Sequence, residues 1–177
     1  GFSPIGISYD SRFAGTYDGN YYIIDSLYIN RPSADYVGLF GCGSGSISNL
    51  GLTNVNIVGH DCVGALIGTN NWPISNCFGS GIVTGNSNVG GLVGDVVCTS
   101  VYECCNYCDV NGVLSVGGIA GYALGNCRIK RCSNYGEING GSVVGGIVGK
   151  TNEWSSVWNS CSHGSVTGSS YIGGLVG

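Results

Sequence analysis

The sequence predicts an all-β protein, a parallel β-solenoid (right-handed β-helix) of about six coils. Two observations predict it: a six-residue glycine box returns at nearly constant spacing, and short β-branched runs separated by Gly, Asn and Ser fill the intervals. The boxes end at Gly41, Gly68, Gly94, Gly121, Gly149 and Gly177. The steps between these glycines are 27, 26, 27, 28 and 28 residues. A fixed period of this length is typical of stacked supersecondary units.

Each unit of ~27 residues carries three apolar runs, which in one unit cover residues 74–77, 82–85 and 89–94. Runs of four to six β-branched residues between turn formers indicate strands. The 34 glycines argue against helices. Three such strands cannot bury their own apolar face, so each unit must stack in register on the next. Strand spacing then gives ~4.8 Å of rise per coil, and a parallel crossover favours a right-handed coil.

The glycines have two expected roles. Corners of a closed coil need φ > 0, which Gly supplies without steric cost. The doubled glycines, such as Gly90-Gly91 and Gly117-Gly118, are expected to let a second layer of backbone approach closely. A nucleotide-binding interpretation is weak, because the glycine motif of such sites is followed by a helix.

The organisation indicates a single solenoid domain over residues 1–177. Residues 1–36 are the least regular and are expected to form an irregular first coil or cap, and residues 37–177 carry the regular repeats. The chain starts and stops abruptly, whereas a solenoid usually needs polar caps. We therefore expect either a segment cut from a longer protein or neighbouring copies that cover the ends.

The glycine box, with Ile-x-Asn-Cys at 74–77 and Gly-x-Val-x-Gly at 164–168, resembles the GLUG-motif repeat of bacterial surface proteins. These include large adhesin-like proteins and the N-terminal regions of some IgA-cleaving proteases. The opening residues, Pro4-Ile5-Gly6 and the stretch 13–20, are similar to the family's opening pattern, although Tyr21 stands where the family usually has Gly. The resemblance covers essentially the whole chain. It implies a β-solenoid and an extracellular role, and it carries no catalytic residues.

Composition narrows the function classes. Charged residues make up 9% of the chain and the net charge is −4, so six Lys and Arg residues cannot build a nucleic-acid face. No run of ~20 apolar residues indicates membrane insertion, and no signal peptide is visible. Low charge with abundant Asn, Ser, Gly and Tyr is typical of a surface that faces the extracellular space or the cell exterior.

The ten cysteines fall into two groups. One group holds the same place in successive units and is expected to form a column: Cys77, Cys105 (or its neighbour Cys104), Cys132 and Cys161. Buried free thiols are the favoured interpretation of this column, although stacked strands also bring Cα atoms within disulfide range. In the second group, Cys98 and Cys127 each follow a box and are the best candidates for a disulfide, which an extracellular location permits.

A zinc site is the sharper alternative for some cysteines. The ligands would be Cys104, Cys105 and Cys108, completed by Cys127 or Cys132, but the spacing departs from two separated Cys-x2–4-Cys pairs. We expect no metal and no cofactor.

Catalysis by a β-helix needs clustered carboxylates. The ten acidic residues here occupy different phases of the repeat, and Asp95 and Glu103 are the one pair expected to meet across a coil. We therefore expect no enzyme activity.

Tyrosine supplies the candidate contact residues. An adhesive face is one interpretation for Tyr9, Tyr17, Tyr21, Tyr28, Tyr36, Tyr122 and Tyr171. The other interpretation, equally favoured, is that half of these rings pack inward or along neighbouring coils.

Three functions remain open. The first is a non-catalytic structural or adhesive segment of an extracellular bacterial surface protein. The second is a filament subunit whose coils stack end to end. The third is an accessory module of a large secreted protease or glycan-active enzyme. The expected partners are the chain itself or a host or cell-surface ligand, with no nucleic acid and no membrane insertion.

Overall fold

A computed structural model describes residues 2–152 and 154–177, and Gly1 and Glu153 lie outside the described residues. The described chain is a β-solenoid of about six coils made of three parallel sheets. Its described residues form 23 strands and no helix. The predicted fold class is confirmed. Within these ranges there is no helix long and apolar enough to cross a membrane.

The broad sheet contains thirteen strands. They are β1 (Tyr17–Asp25), β2 (Tyr28–Asn30), β4 (Ile47–Val58), β7 (Ile74–Ser75), β8 (Phe78–Thr84), β11 (Ser100–Tyr102), β12 (Cys105–Asn111), β15 (Arg128–Lys130), β16 (Ser133–Asn134), β17 (Ile138–Asn139), β20 (Ser156–Trp158), β21 (Cys161–Ser162) and β22 (Val166–Thr167). The first two strands both pair with β4, so the irregular N-terminal region joins the ladder.

Two narrow sheets of five strands complete the coils. One contains β3 (Phe40–Gly43), β6 (Ile67–Asn70), β10 (Val93–Val97), β14 (Ala120–Leu124) and β19 (Val148–Thr151). The other contains β5 (Asp61–Val63), β9 (Ser87–Gly90), β13 (Leu114–Gly117), β18 (Ser142–Gly145) and β23 (Ser170–Gly173). Equivalent residues of successive coils pair directly, as Val89, Val116 and Val144 do, and all three are fully buried.

The glycine box forms a corner between the two narrow sheets. Val89 and Gly90 end β9, the chain turns at Gly91 and Leu92, and β10 starts at Val93. The sequence-based interpretation of the box as one strand is therefore wrong. Since the two narrow sheets meet at this corner, the box glycines lie where backbone segments are closest.

Positive φ falls on the residue before the Val or Ile that leads into each corner. These residues are Tyr36, Cys62, Asn88, Ser115, Val143 and Tyr171, with φ between 50° and 58°. The described glycines with positive φ are Gly6, Gly81 and Gly125. The expectation that the box glycines supply the positive φ of the corners is therefore wrong.

Close approach is the role that the box glycines do have. A Cβ on Gly117 would lie 2.2 Å from the Ala120 carbonyl oxygen, and one on the closing Gly149 would lie 2.4 Å from the Val116 nitrogen. A side chain at either position would push adjacent coils apart, so the repeat depends on glycine there.

Candidate functional site

The inner cysteine column consists of Cys77, Cys104 and Cys132, all buried. Strand β12 pairs Cys105 with Phe78 and with Ser133, so Cys105 lies one position further along. The column expected from the sequence is therefore shifted by one residue at Cys105. Alternate residues of a strand face opposite sides, so this shift moves a thiol from the core to the outer face.

Cys161 is also displaced from the inner column. It pairs with Ser133, beside which it lies exposed at 3.3 Å from the hydroxyl oxygen. Ser160 occupies the inner position of that coil, where its hydroxyl accepts a hydrogen bond from the Cys132 N–H at 3.1 Å. Two of the four expected members therefore belong to the outer face of the broad sheet.

The inner thiols are free and inaccessible. Burial raises the pKa of Cys104 well above the usual thiol value, and hydrogen bonds with Cys132 and Cys77 act in the same direction. The Cys77 thiol donates to the Ser75 carbonyl at 3.1 Å. The same hydrogen bonds with Cys104 lower the pKa of Cys77 and Cys132. All three sulfurs are enclosed in the core, out of reach of a substrate or a metal ion, so the column acts as packing.

Cys98 and Cys127 are free thiols in different surroundings: Cys98 is exposed and Cys127 is buried. The Cys127 thiol donates to the carbonyls of Val96 and Leu124, each at 3.2 Å. The Cys98 sulfur lies over Gly125, where an added Cβ would be 2.4 Å away. The disulfide between these two cysteines stays a prediction, which counting thiols in the denatured chain would test.

The cysteines expected as zinc ligands lie on opposite sides of the broad sheet. Cys104 and Cys108 are in the core, whereas Cys105 lies on the outer face. In the part of the chain that the structure describes, the three possible metal ligands that converge within 4.8 Å are Asp35, His60 and Asp61. His60 and Asp35 form an exposed ion pair, with 2.9 Å between Asp35 Oδ1 and His60 Nδ1, and the hydrogen bond that His60 donates to Asp35 raises the pKa of His60.

The carboxylates of Asp95 and Glu103 do not form a pair. Asp95 lies on β10, where its Oδ2 accepts a hydrogen bond from the Cys62 thiol at 3.1 Å. Burial raises the pKa of Asp95 to about 6. Glu103 lies at a bend of the broad sheet and is salt-bridged to Arg131. The two acids thus have different partners on different sheets.

The outer face of the broad sheet carries a groove that the sequence interpretation missed. Strands β11, β15 and β20 place Tyr102, Lys130 and Trp158 in one outward column. A cavity of about 330 Å³ lies here. We call it the basic groove, and its lining residues are Pro73, Ser100, Tyr102, Arg128, Lys130 and Arg131.

A stack of aromatic rings lies further along the same face, beyond the bend at Glu103. The rings of Tyr107 and Tyr135 are 4.9 Å apart and nearly parallel, and His163 stacks on Tyr135 at 4.8 Å. A signal was available in the sequence, since an Asn-Tyr dipeptide occurs at 106–107 and again 28 residues later. The rings cover each other's faces, so this stack stabilises the rod more than it offers ring faces to a ligand.

Some of the tyrosines proposed as an adhesive face are exposed, and others pack against neighbouring side chains. Tyr9, Tyr21, Tyr28 and Tyr171 are exposed. Tyr17 instead packs edge-on against Phe40. The exposed rings occupy different parts of the surface and do not build one face.

Comparisons with known proteins find relatives in sequence and a solved structure with the same fold. No family model matches the chain. Over 98 residues it is 41% identical to halomucin of Haloquadratum walsbyi, covering 54% of this chain and 1% of halomucin. Over 81 residues it is 41% identical to a "Putative Gly-rich membrane protein" of Evansella cellulosilytica, covering 43% of this chain and 9% of that protein. The chain thus spans a small part of these relatives.

A solved structure shares the architecture over nearly the whole chain. It is a "putative immunoglobulin A1 protease" from Bacteroides ovatus, with a TM-score of 0.79 and 22% sequence identity. The match covers 98% of this chain and 59% of that chain. At this identity, the likeness shows the fold alone.

Proposed function

We propose that the chain is a non-catalytic structural and adhesive segment of a protein located at the cell surface or outside the cell, built from GLUG-type repeats. The names of the two relatives, a halomucin and a membrane protein, support this location. So does the composition, in which 9% of residues are charged.

The observation that carries the proposal is the regular register of the coils, which shifts in the broad sheet between Asp18 and Tyr22 and between Leu52 and Val55. Ser100, Arg128 and Ser156 stand in one column of the broad sheet, and Val93, Ala120 and Val148 stand in one column of a narrow sheet. Each coil is hydrogen-bonded to the coils on either side, so the molecule is a stiff rod with a repeated outer surface. Such a rod suits spacing and display.

The distribution of reactive groups supports a non-catalytic role. The inner cysteines are enclosed in the core, and Asp95 and Glu103 are bound to separate partners. Glycoside hydrolysis requires two such carboxyl groups to flank the bond that is cleaved.

Deletion of one whole coil tests the rod. Removing residues 95–121 joins Gly94 to Tyr122, which pairs with Asp95 in the intact ladder. We expect a folded protein that is shorter by ~4.8 Å in small-angle X-ray scattering. The matched control removes residues 95–107, which breaks the register and should abolish cooperative unfolding. Loss of folding in both variants would contradict independent stacking.

Surface exposure is tested on cells that produce the protein. An antibody raised against the folded segment should label intact cells or the culture medium. Labelling that appears only after lysis would refute the proposed location.

A filament is the second candidate, favoured by the last coil. Ile172 and Leu175 are 46% and 42% exposed, although the equivalent Val144 and Ile147 of the preceding coil are fully buried. A further coil would cover them, either from the same polypeptide or from a second copy. Electron microscopy of the purified chain separates the two: long filaments support self-assembly, and dispersed short rods exclude it.

The accessory-module alternative stays a prediction. It requires a catalytic domain in the same polypeptide, and it is tested by assaying the intact protein for proteolysis or glycan cleavage with and without this segment.

A further inference from the structure

We propose that the basic groove binds an acidic polysaccharide, a polymer of sugar residues that carry carboxylates. Such binding presupposes the adhesive role proposed above and assigns it a location and a ligand class.

Charge is concentrated at this groove. Three of the six Lys and Arg residues line it, in a chain whose net charge is −4. Arg131 is salt-bridged to Glu103, whereas no carboxylate among the described residues lies within salt-bridge distance of Arg128 or Lys130. Both of these side chains are exposed. A local positive site on an otherwise acidic surface selects anions, and the Arg guanidinium matches a carboxylate with two parallel hydrogen bonds.

Aromatic side chains border the same cations. Tyr102 and Trp158 flank Lys130 along the outward column, and Trp158 is 63% exposed. Trp72 and Trp154 lie in equivalent corner loops, before β7 and before β20, and are 52% and 82% exposed. Trp158 is therefore the tryptophan that the strand register places beside the cations. Exposed clusters of large rings mark binding surfaces, because an amphipathic ring contacts an apolar face while its polar atom stays solvated.

The combination favours a sugar polymer over other anions. Aromatic rings match the apolar faces of sugar rings, and the cations match carboxylates. The flanking coils place Tyr102 and Trp158 one strand spacing, ~4.8 Å, on either side of Lys130, which suits a linear ligand that runs along the axis. Three cations are too few to follow a phosphate backbone, so nucleic acid is disfavoured.

The test measures binding of polygalacturonate oligomers to the chain by isothermal titration calorimetry at low salt, with fully methyl-esterified oligomers as the neutral probe. We expect polygalacturonate to bind, the ester to bind much more weakly, and added salt to weaken the interaction. The double variant R128Q/K130Q should lose about tenfold or more in affinity, since it removes two charge-assisted contacts.

Two variants separate specific recognition from general charge. Lys150→Gln removes a cation that lies over Tyr122 on a narrow sheet, and it should leave affinity unchanged. Trp158→Ala keeps the charge and should still weaken binding several-fold. Circular dichroism confirms that each variant is folded.

Several results would overturn the inference: no binding of polygalacturonate, equal binding of the ester, or equal losses in Lys150→Gln and the double variant. Polyglutamate that binds as tightly as polygalacturonate would show charge recognition of an acidic peptide instead. A chain that binds none of these probes but behaves as a rod on the cell surface would refute the ligand while leaving the structural role intact.

Discussion

Asn106 Nδ2 donates a hydrogen bond of 2.8 Å to Oδ1 of Asn134, one coil further along and inside the core. Both side chains are fully buried. Asn106 also donates to the Cys108 carbonyl at 2.8 Å and accepts from the Cys108 N–H at 3.0 Å, so its polar atoms are paired. Asn134 continues the ladder to the Ser162 hydroxyl at 3.1 Å.

The second glycine of the doubled pairs at 90–91, 117–118 and 145–146 makes room for this ladder. A Cβ on Gly91 would lie 2.2 Å from Asn106 Oδ1, and one on Gly118 would lie 2.4 Å from Asn134 Cγ. In the preceding coil, Ala65 takes the place of Gly91 and Gly79 takes the place of Asn106. A Cβ added to Gly79 would lie 3.6 Å from the Cβ of Ala65. A large side chain at the Asn106 position thus goes with glycine at the Gly91 position, and glycine at the Asn106 position goes with alanine at the Gly91 position.

Replacing Gly91 and Asn106 by the residues of the preceding coil should show that the two positions are energetically coupled. Gly91→Ala alone should destabilise the chain by ~2 kcal/mol or more through overpacking, and Asn106→Gly alone by a similar amount because buried polar groups lose their partners. The double variant recreates the Ala65–Gly79 pair and should be less destabilised than the sum of the two. Urea unfolding measures the cycle, and additive losses would contradict direct contact.

Backbone strain at Val143 offers a stabilising substitution. Its φ of 58° is unfavourable for a β-branched residue, while the equivalent position in another coil holds Asn88 at 53°. We expect Val143→Asn to raise the free energy of unfolding by ~1 kcal/mol, and Asn88→Val to lower it by a similar amount. Thermal and urea unfolding of both variants measure the signs. A loss of stability in Val143→Asn would show that packing of the isopropyl group outweighs the strain.

Asp95 should make the chain less stable as pH rises. Its folded pKa of about 6 exceeds the unfolded value of ~3.9, because burial and the charge of Asp61 outweigh hydrogen bonds from Cys62 and Asn88. The native state therefore holds the proton more tightly, and stability is lost as pH rises from ~4 through 6. Relative to the wild type, Asp95→Asn should gain up to ~3 kcal/mol in unfolding free energy between pH 4 and pH 7.5.

Asp25 is the control, because its contribution to stability should change with pH in the direction opposite to that of Asp95. Hydrogen bonds, first from Thr53, hold its pKa below the usual value, so its contribution is present above that value and lost at lower pH. Asp25→Asn should therefore cost stability at neutral pH, and the cost should shrink as the pH falls below the usual carboxyl pKa. A difference between Asp95→Asn and the wild type that does not change with pH would refute the proposed protonation of Asp95.

Thiol reactivity should divide the cysteines by burial. Cys98 and Cys161 are exposed and should react with a thiol reagent in the native chain, whereas Cys77, Cys104 and Cys132 should react only on unfolding. The number of thiols released on denaturation without reductant tests the predicted disulfide, and a count of all ten would refute it. A count two lower, with a cross-linked peptide containing Cys98 and Cys127, would establish the disulfide instead.

The cysteine column shows how far periodicity reaches. The spacing placed a cysteine near the right position in each unit, but it could not decide between Cys104 and Cys105. That choice follows from the bend at Glu103, where φ is 56°, and glutamate gives no local cue for such a conformation. The basic groove escaped detection for a related reason: Tyr102, Lys130 and Trp158 meet only once the strands are in register.

The sequence by itself determined the solenoid, its repeat and its approximate number of coils, because a glycine box every ~27 residues and short β-branched runs leave no other way to bury the apolar face. Only the tertiary structure decided that the box is a corner, that Gly91 makes room for Asn106, and that three cations line one groove. The physical reason is that period sets which residues stack, whereas the bends within each coil set which way their side chains point.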